Sequence, residues 1–196
     1  MISTRTDNRG FTLVELIVAI GIGLIVVGFA AANISGMIKT ARADGGLEIL
    51  ATALRQSREL SVSERRNIQI RFPTTNNQVQ IYRIEYPSGA QTLVRTITFE
   101  GRVQFKQQTG PGDTPDLFGN NTTICPDTTG AICLRANVPA MFTTDGSFVD
   151  SNGDVLNGTL FISVPGDVLS ARAIAIFGPT GALRLWRWNG RAWVEA

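Results

Sequence analysis

Three residues near the amino terminus have the types and spacing for processing and assembly chemistry: Gly10, Phe11 and Glu15. Glu15 is the only ionisable side chain in the apolar run of residues 11–32. A carboxylate in such a run is costly unless something pairs with it, so we expect Glu15 to be functional. A charged, polar segment precedes the run, and cleavage after Gly10 would remove that segment and leave Phe11 as the new amino terminus.

The order of these parts differs from that of a secretory signal, in which the apolar region comes before the cleavage site and is discarded. Here cleavage would keep the apolar helix. A freed Phe11 amine would be a cation close to the Glu15 carboxylate, and neither charge is stable alone at low dielectric. In a helical filament, the amine of an arriving subunit would neutralise Glu15 of a subunit already in place and set the register.

The segment Arg9-Gly10-Phe11-Thr12-Leu13-Val14-Glu15 and the apolar helix after it closely resemble the class III leader of type IV pilin-like proteins. The resemblance covers residues 5–32, and a plain single-pass anchor or an uncleaved signal is the alternative. It implies that prepilin peptidase cleaves between Gly10 and Phe11, that Phe11 is N-methylated, and that Glu15 acts in assembly with other pilin or pseudopilin subunits. It also implies a single-pass protein of the bacterial inner membrane, with a periplasmic C-terminal domain, that enters a pilus or pseudopilus.

The composition excludes much enzyme chemistry. The 196-residue chain has no histidine, so it has no histidine general base, no Ser-His or Cys-His nucleophile and no histidine-containing zinc site. No pair of carboxylates stands out by its spacing. We therefore expect a protein that is not an enzyme and that has no cofactor and no metal. The net charge of +2 does not indicate a nucleic-acid partner by itself.

The two cysteines, Cys125 and Cys133, enclose a short loop rich in Pro, Asp, Thr and Gly. In a domain on the oxidising side of a membrane this pattern predicts a disulfide. A redox pair would need the Cys-X-X-Cys spacing, and a metal site would need more ligands than two thiolates. The bridge would hold a loop in place.

The C-terminus is the candidate binding surface. Asn189-Gly190 predicts a two-residue type I′ hairpin turn, in which Trp188 faces Arg191 and Trp186 faces Trp193. Strand alternation then places five side chains on one face: Arg184, Trp186, Trp188, Arg191 and Trp193. Such a face could stack on bases and contact phosphates, which makes DNA an alternative partner. The competing interpretation is that the aromatic rings pack inside the domain.

A smaller signal is the segment 150–154, which presents oxygen atoms at alternate positions, as calcium loops do. Its glycine is misplaced for an EF-hand, and a hairpin turn is the competing interpretation.

The first element that must position these residues is a helix at the amino terminus. We divide the chain into a leader (1–10), a transmembrane and assembly helix (11–33), a periplasmic amphipathic helix (34–66) and a β-rich pilin-like domain (67–196). Leu47, Leu50 and Leu54 recur at the spacing of one helix face, which predicts packing on a sheet. Gly45-Gly46 is the predicted weak point of the helix.

From residue 67 the period becomes alternating, which predicts strands. They are expected at residues 68–72, 79–86, 92–99, 102–105, 141–144, 156–164, 171–177 and 182–188. Residues 107–124 are expected to form a long loop. The predicted fold class is α+β, with a long N-terminal helix, its first half membrane-spanning, packed on an antiparallel sheet.

Four segments of the later chain add a second resemblance, to the family of minor pseudopilin H and the pilus protein FimT: residues 54–60 running into 67–72, then 142–147, and finally 178–181 before an Arg-rich last strand. It implies a minor pilin or pseudopilin of a type IV pilus or type II secretion pseudopilus, acting at filament initiation or at the tip. The alternative is a FimT-like DNA-binding minor pilin for DNA uptake. DNA receptors of that kind are associated with Gly-Arg-X-Arg, and here residues 190–193 read Gly-Arg-Ala-Trp, so the second arginine is missing.

Overall fold

A computed structural model of the chain describes residues 12–73, 76–119, 132–134 and 140–196. Gly10, Phe11 and Cys125 lie outside these ranges, and Cys133 is described in its backbone alone. The cleavage site and the disulfide therefore stay predictions. The chain divides into two units, Met1–Ile38 and Lys39–Ala196.

The long N-terminal helix expected from the sequence is confirmed as α1 (Leu13–Glu64), which continues without interruption across the predicted boundary between residues 33 and 34. In the first unit it carries the apolar run, and every side chain from residue 12 to residue 29 is exposed. Within the described residues, no helical stretch combines the length and the mean hydropathy needed to cross a bilayer.

In the second unit α1 is amphipathic. Leu47, Leu50 and Leu54, which predicted a packed face, are at most 2% exposed. The buried stripe recurs every three or four residues and comprises Ala43, Leu47, Leu50, Ala51, Ala53, Leu54, Ser57 and Ser61. The two serines satisfy their hydroxyls within the helix, since Ser57 Oγ donates to Ala53 O at 2.7 Å and Ser61 Oγ donates to Arg58 O at 2.7 Å.

The helix continues through Gly45 and Gly46, where the sequence predicted a weak point. A Cβ atom on Gly46 would lie 2.9 Å from Val103 Cγ1 and 3.5 Å from Ile162 Cδ1, whereas one on Gly45 would meet nothing within 4 Å. Gly46 therefore serves close packing of the helix on the domain.

Eleven strands follow in the described residues: β1 (Ile68–Arg71), β2 (Gln78–Ile84), β3 (Gln91–Thr98), β4 (Gln104–Phe105), β5 (Ile132–Leu134), β6 (Ala140–Phe142), β7 (Phe148–Val149), β8 (Gly158–Ser163), β9 (Arg172–Phe177), β10 (Ala182–Trp188) and β11 (Trp193–Glu195). They form two antiparallel sheets with the orders β3-β2-β1-β6-β7 and β11-β10-β9-β8-β4, and β5 pairs with β8.

The α+β class is confirmed, but the single sheet expected from the sequence is two sheets. The chain leaves the first sheet after β3, adds β4 beside β8, and returns with β6 beside β1. Alternation within a strand carries no information on such non-local pairing. β5 and β7 were not predicted, because two or three residues are too few to show a period, whereas β11 was implied by the predicted C-terminal hairpin.

A buried arginine ties α1 to the second sheet. Arg172 in β9 is 3% exposed, and its Nε donates to Asp44 Oδ1 of the helix at 2.6 Å. Its Nη1 donates to the carbonyls of Leu169 and Ala171 at 2.8 and 2.9 Å. A buried charge is tolerated when it is paired and hydrogen-bonded in this way.

Candidate functional site

Glu15 lies in the first turn of α1 and forms a capping box with Thr12. Thr12 N and Thr12 Oγ1 both donate to Glu15 Oε2 at 3.0 Å. In return Glu15 N donates to Thr12 Oγ1 at 3.3 Å. This reciprocal pair satisfies donors that the start of a helix leaves free. The capping box was not predicted above, although its signature, Thr-X-X-Glu before an apolar run, is present in the sequence.

The capping box uses only one of the two carboxylate oxygens of Glu15. Oε2 is occupied by Thr12, while Oε1 has no hydrogen-bond partner among the described residues. A carboxylate can accept at both oxygens. Glu15 is therefore held in one orientation by its own helix and keeps an acceptor for a second group.

The helix surface on both sides of Glu15 in sequence, from residue 13 to residue 29, is apolar in all directions. Leu13, Leu24 and Phe29 are 74%, 69% and 72% exposed. Further large apolar side chains in this stretch are more than half exposed: Val14, Leu16, Ile17, Val18, Ile20, Ile22, Ile25, Val26 and Val27. A helix that is apolar all round is typical of a buried or membrane-embedded helix. The described part of the chain provides no cover for this apolar surface between residues 13 and 29.

Three of the segments that carry the second resemblance, residues 54–60, 142–147 and 178–181, meet around Arg58. Arg58 Nε donates a hydrogen bond of 3.2 Å to the carbonyl oxygen of Gly146, which lies in the β6–β7 turn. A Cβ atom on Gly181, in the β9–β10 turn, would lie 2.3 Å from Gly146 O and 2.9 Å from Arg58 Cδ. The helix and one turn from each sheet thus pack together where a side chain on Gly181 has no room.

The β6–β7 turn is itself a hydrogen-bonded network around Asp145. Its carboxylate accepts from Thr143 Oγ1, from Ser147 N at 3.1 Å and from Ser147 Oγ at 2.8 Å. These bonds lower the pKa of Asp145 from 3.8 to about 2, and the bond from Thr143 has the largest effect.

The C-terminal hairpin has a different register from the predicted one. Trp188 pairs with Trp193, and Trp186 pairs with Glu195, so residues 189–192 form a four-residue loop. Asn189 Oδ1 accepts from the backbone N–H groups of Arg191 and Ala192, both at 2.9 Å. Asn189 N also donates to Ala192 O at 3.2 Å. The asparagine side chain stabilises a wider turn, and the predicted two-residue turn is wrong.

The corrected register separates the predicted surface into two parts. Arg184, Trp186, Trp188 and Trp193 share one face of the hairpin, and Trp188 and Trp193 meet edge to face at 5.6 Å between ring centroids. Arg191 lies in the turn and is exposed.

Residues of the loop that follows β4 make hydrogen bonds to this face of the hairpin. Asp116 Oδ2 accepts from Trp186 Nε1 at 2.6 Å, and Asp116 Oδ1 pairs with Arg184 Nη1 at 2.6 Å. Trp193 Nε1 donates to Gly112 O at 3.1 Å. Trp186 and Trp193 are each 9% exposed. The rings and the guanidinium have partners within the domain, and DNA binding by this face stays a prediction.

The segment 150–154 forms a turn around Asp150. Its Oδ1 accepts from Asn152 N at 2.8 Å and from Asp154 N at 3.0 Å, and Val149 and Val155 form an isolated bridge beside the turn. In the part of the chain that the structure describes, no three acidic, cysteine or histidine residues are grouped as metal ligands.

Comparison with known families gives one match, at the amino terminus. Residues 5–31 match the family model described as the prokaryotic N-terminal methylation motif. The chain carries this methylation motif. The prepilin-type leader inferred from the sequence is thereby confirmed. No curated protein matches the chain.

Two solved structures of the minor pseudopilin EpsH, from the type II secretion system of Vibrio cholerae, are similar to the chain at 11% identity. One has a TM-score of 0.48, with 74% of this chain and 97% of that chain covered. The other has a TM-score of 0.47, with 80% and 98% covered. Function does not transfer at this level of similarity.

The methylation motif contains the capping box as well as the predicted cleavage site. Thr12 and Glu15 both lie within residues 5–31, together with Gly10 and Phe11. The motif ends inside α1 and does not reach the unit Lys39–Ala196.

Proposed function

We propose that the protein is a minor subunit of a type IV pilus or type II secretion pseudopilus. Prepilin peptidase would cleave it between Gly10 and Phe11, and the new Phe11 terminus would be methylated. The observation that carries this proposal is the methylation motif at residues 5–31, joined to a helix whose apolar side chains are exposed on every side. The protein would be a structural component rather than an enzyme.

The exposed run supports storage in the inner membrane before assembly. Burial of apolar surface contributes about 25 cal/mol per Å², so a helix that is apolar all round is strongly driven out of water. Residues 13–29 would be covered by lipid in the waiting subunit and by neighbouring helices in the filament. The unit Lys39–Ala196 would lie in the periplasm.

Glu15 would fix the register between subunits. Thr12 holds Glu15 Oε2, which leaves Oε1 for a cation from a neighbour. The amine of a neighbouring Phe11 is the complementary group that cleavage creates. An ion pair shielded from water is strong when its remaining bonds are satisfied, and the capping box supplies them.

Mass spectrometry tests the processing step. The full chain is produced with and without a prepilin peptidase, and the intact mass is measured. We expect loss of residues 1–10 and gain of one methyl group only with the peptidase, and no cleavage of Gly10→Glu. A chain that keeps residues 1–10 in the presence of an active peptidase would contradict the proposal.

Co-assembly tests the role of Glu15 and separates it from helix capping. Glu15→Ala and Thr12→Ala both remove the capping box, but Thr12→Ala keeps the carboxylate. We expect Glu15→Ala to remain in the membrane fraction and to be lost from sheared filaments at least tenfold, and Thr12→Ala to be incorporated nearly normally. Glu48→Ala, an exposed acid in the second unit, is the matched charge control. Equal loss for Glu15→Ala and Thr12→Ala would reduce Glu15 to a cap.

A further inference from the structure

A groove of about 300 Å³ lies at the C-terminal end of α1, away from Glu15 and from the C-terminal hairpin. Its lining comes from the end of the helix, from the turn between β2 and β3, and from the β6–β7 turn. The residues are Arg65, Arg66, Asn67, Ile84, Glu85, Tyr86, Pro87, Gly89 and Thr144. All of them belong to the unit Lys39–Ala196.

The helix ends on an arginine in a conformation that favours glycine. Arg66 N donates to Ser61 O at 3.2 Å, which is the closing bond of a Schellman motif. Arg65, the residue before it, has φ of +51°. Glycine is the usual residue at this position because a Cβ atom is strained there. The chain places a guanidinium at this position at a cost in backbone strain, and such a cost is common at functional sites.

The acids nearest the groove are already paired with another arginine. Arg83 Nη1 binds Glu64 Oε2 at 3.3 Å, and Arg83 Nε binds Glu85 Oε1 at 2.8 Å. Among the described residues, neither Arg65 nor Arg66 forms a side-chain hydrogen bond or an ion pair. The groove therefore presents two guanidinium groups whose donors are not taken up by its walls, although Arg66 also lies within the electrostatic range of Glu85, whose hydrogen-bonded partner is Arg83.

An exposed tyrosine stands beside these cations. Tyr86 is 79% exposed, and the Arg66 guanidinium carbon lies 5.9 Å from the centre of its ring. The ring orients the guanidinium by a cation–π contact. Arginine and tyrosine together are the residues most enriched at the energetic centres of protein interfaces.

We propose that this groove binds a carboxylate-rich segment of a partner protein. Two planar guanidiniums match carboxylates bidentately, and the tyrosine offers apolar area beside them. A nucleic acid fits less well, because two guanidiniums at one groove are too few to form the continuous basic stripe that a phosphate backbone requires.

Fluorescence anisotropy of the full chain in detergent, with a labelled oligoglutamate peptide as the probe, tests this site. We expect salt-dependent binding that Arg66→Ala weakens roughly tenfold, the usual loss for one charged hydrogen-bonded pair. Arg55→Ala is the matched control: it removes the same charge from an exposed position of the same helix and should change binding less than about twofold. An oligolysine peptide should not bind.

Arg65→Gly distinguishes binding from folding. It should raise the thermal midpoint, because glycine relieves the strain, and should weaken oligoglutamate binding as Arg66→Ala does. Equal losses for Arg55→Ala and Arg66→Ala, or no binding at millimolar peptide, would overturn the proposal. Tighter binding of a DNA duplex that Arg65→Gly abolishes would also overturn it, in favour of a nucleic acid. None of these results depends on cleavage at Gly10 or on assembly through Glu15.

Discussion

Two parts of the same helix differ in how their apolar side chains are covered. In residues 13–29 every side chain is exposed, although nearly all are apolar. In residues 43–61 the apolar side chains are restricted to one face, and that face is buried in the domain core. The second part is covered by its own chain, whereas the first part is not covered by the described residues and, in the proposed function, would be covered by lipid or neighbouring subunits.

The difference assigns separate roles to the two parts. Substitutions in residues 43–61 should act on the stability of the domain, as in any globular protein. Substitutions in residues 13–29 should leave that stability unchanged and act on partitioning and assembly. The three tryptophans, Trp186, Trp188 and Trp193, all lie in the unit Lys39–Ala196, so their fluorescence reports on that unit.

The largest expected effect is from truncating the buried face. Leu50 is fully buried, and Leu50→Ala should lower the free energy of unfolding by about 2–5 kcal/mol. Leu24→Ala, the same change at a side chain that is 69% exposed, should change it by less than about 0.5 kcal/mol. Urea denaturation of the full chain in detergent, followed by tryptophan fluorescence, measures both. Similar losses for the two variants would abolish the distinction.

Adjacent glycines provide a finer test within the second part. Ala at Gly45 meets nothing within 4 Å and should stabilise the helix by about 0.5–1 kcal/mol. Ala at Gly46 would bring its Cβ to 2.9 Å from Val103 Cγ1, and such overpacking costs about 1–3 kcal/mol, which exceeds the gain in helix propensity. The same urea experiment should therefore give opposite signs for the two variants. Stabilisation by both would mean that the helix does not approach the domain closely at Gly46.

The positions of these glycines in the structure show which features can be predicted from the sequence and which cannot. Leu47, Leu50 and Leu54 identified the buried face because helical periodicity is local. Whether Gly46 is a weak point or a close contact depends on Val103, which is far away in sequence. The same limit explains the two sheets, whose pairings β1 with β6 and β4 with β8 join distant segments.

At the candidate sites too, features encoded in neighbouring residues could be predicted, and features that depend on distant residues could not. The motif around Gly10 and Glu15 was readable because its chemistry is encoded in consecutive residues. The capping box was also local, and its Thr-X-X-Glu signature could have been found. The wide turn at Asn189 and the bonds from Asp116 to Arg184 and Trp186 were out of reach, because a side chain's choice of partner depends on the folded loop.

Acid should weaken the second unit through Asp145. Its pKa is about 2 in the folded protein and 3.8 ordinarily, so the ionised form is favoured by folding. The contribution is complete above about pH 4 and is lost as pH falls from 4 towards 2. Urea midpoints measured across this range should fall less steeply for Asp145→Asn than for the unmodified chain.

Ser147→Ala serves as the intermediate case, because it removes one of the donors to Asp145 and keeps the others. Its pH dependence should lie between those of the unmodified chain and Asp145→Asn. The effect is small, since the carboxylate is on the surface and screened by solvent. Identical profiles for all three chains would remove Asp145 from the acid response.

The smallest expected effect is on DNA binding. It tests whether the polar groups of the C-terminal hairpin are already paired by hydrogen bonds within the second unit. Asp116 neutralises Arg184 and accepts from Trp186, and two of the three indole rings are 9% exposed. A base cannot stack on a covered ring, and a phosphate must compete with a carboxylate already at 2.6 Å. In a gel-shift assay with duplex DNA and the full chain, Arg184→Ala and Arg191→Ala should therefore each change affinity by less than about twofold. Asp116→Ala exposes the same face, and a large gain in salt-dependent affinity for that variant alone would show that the Asp116 bonds had masked a DNA-binding surface.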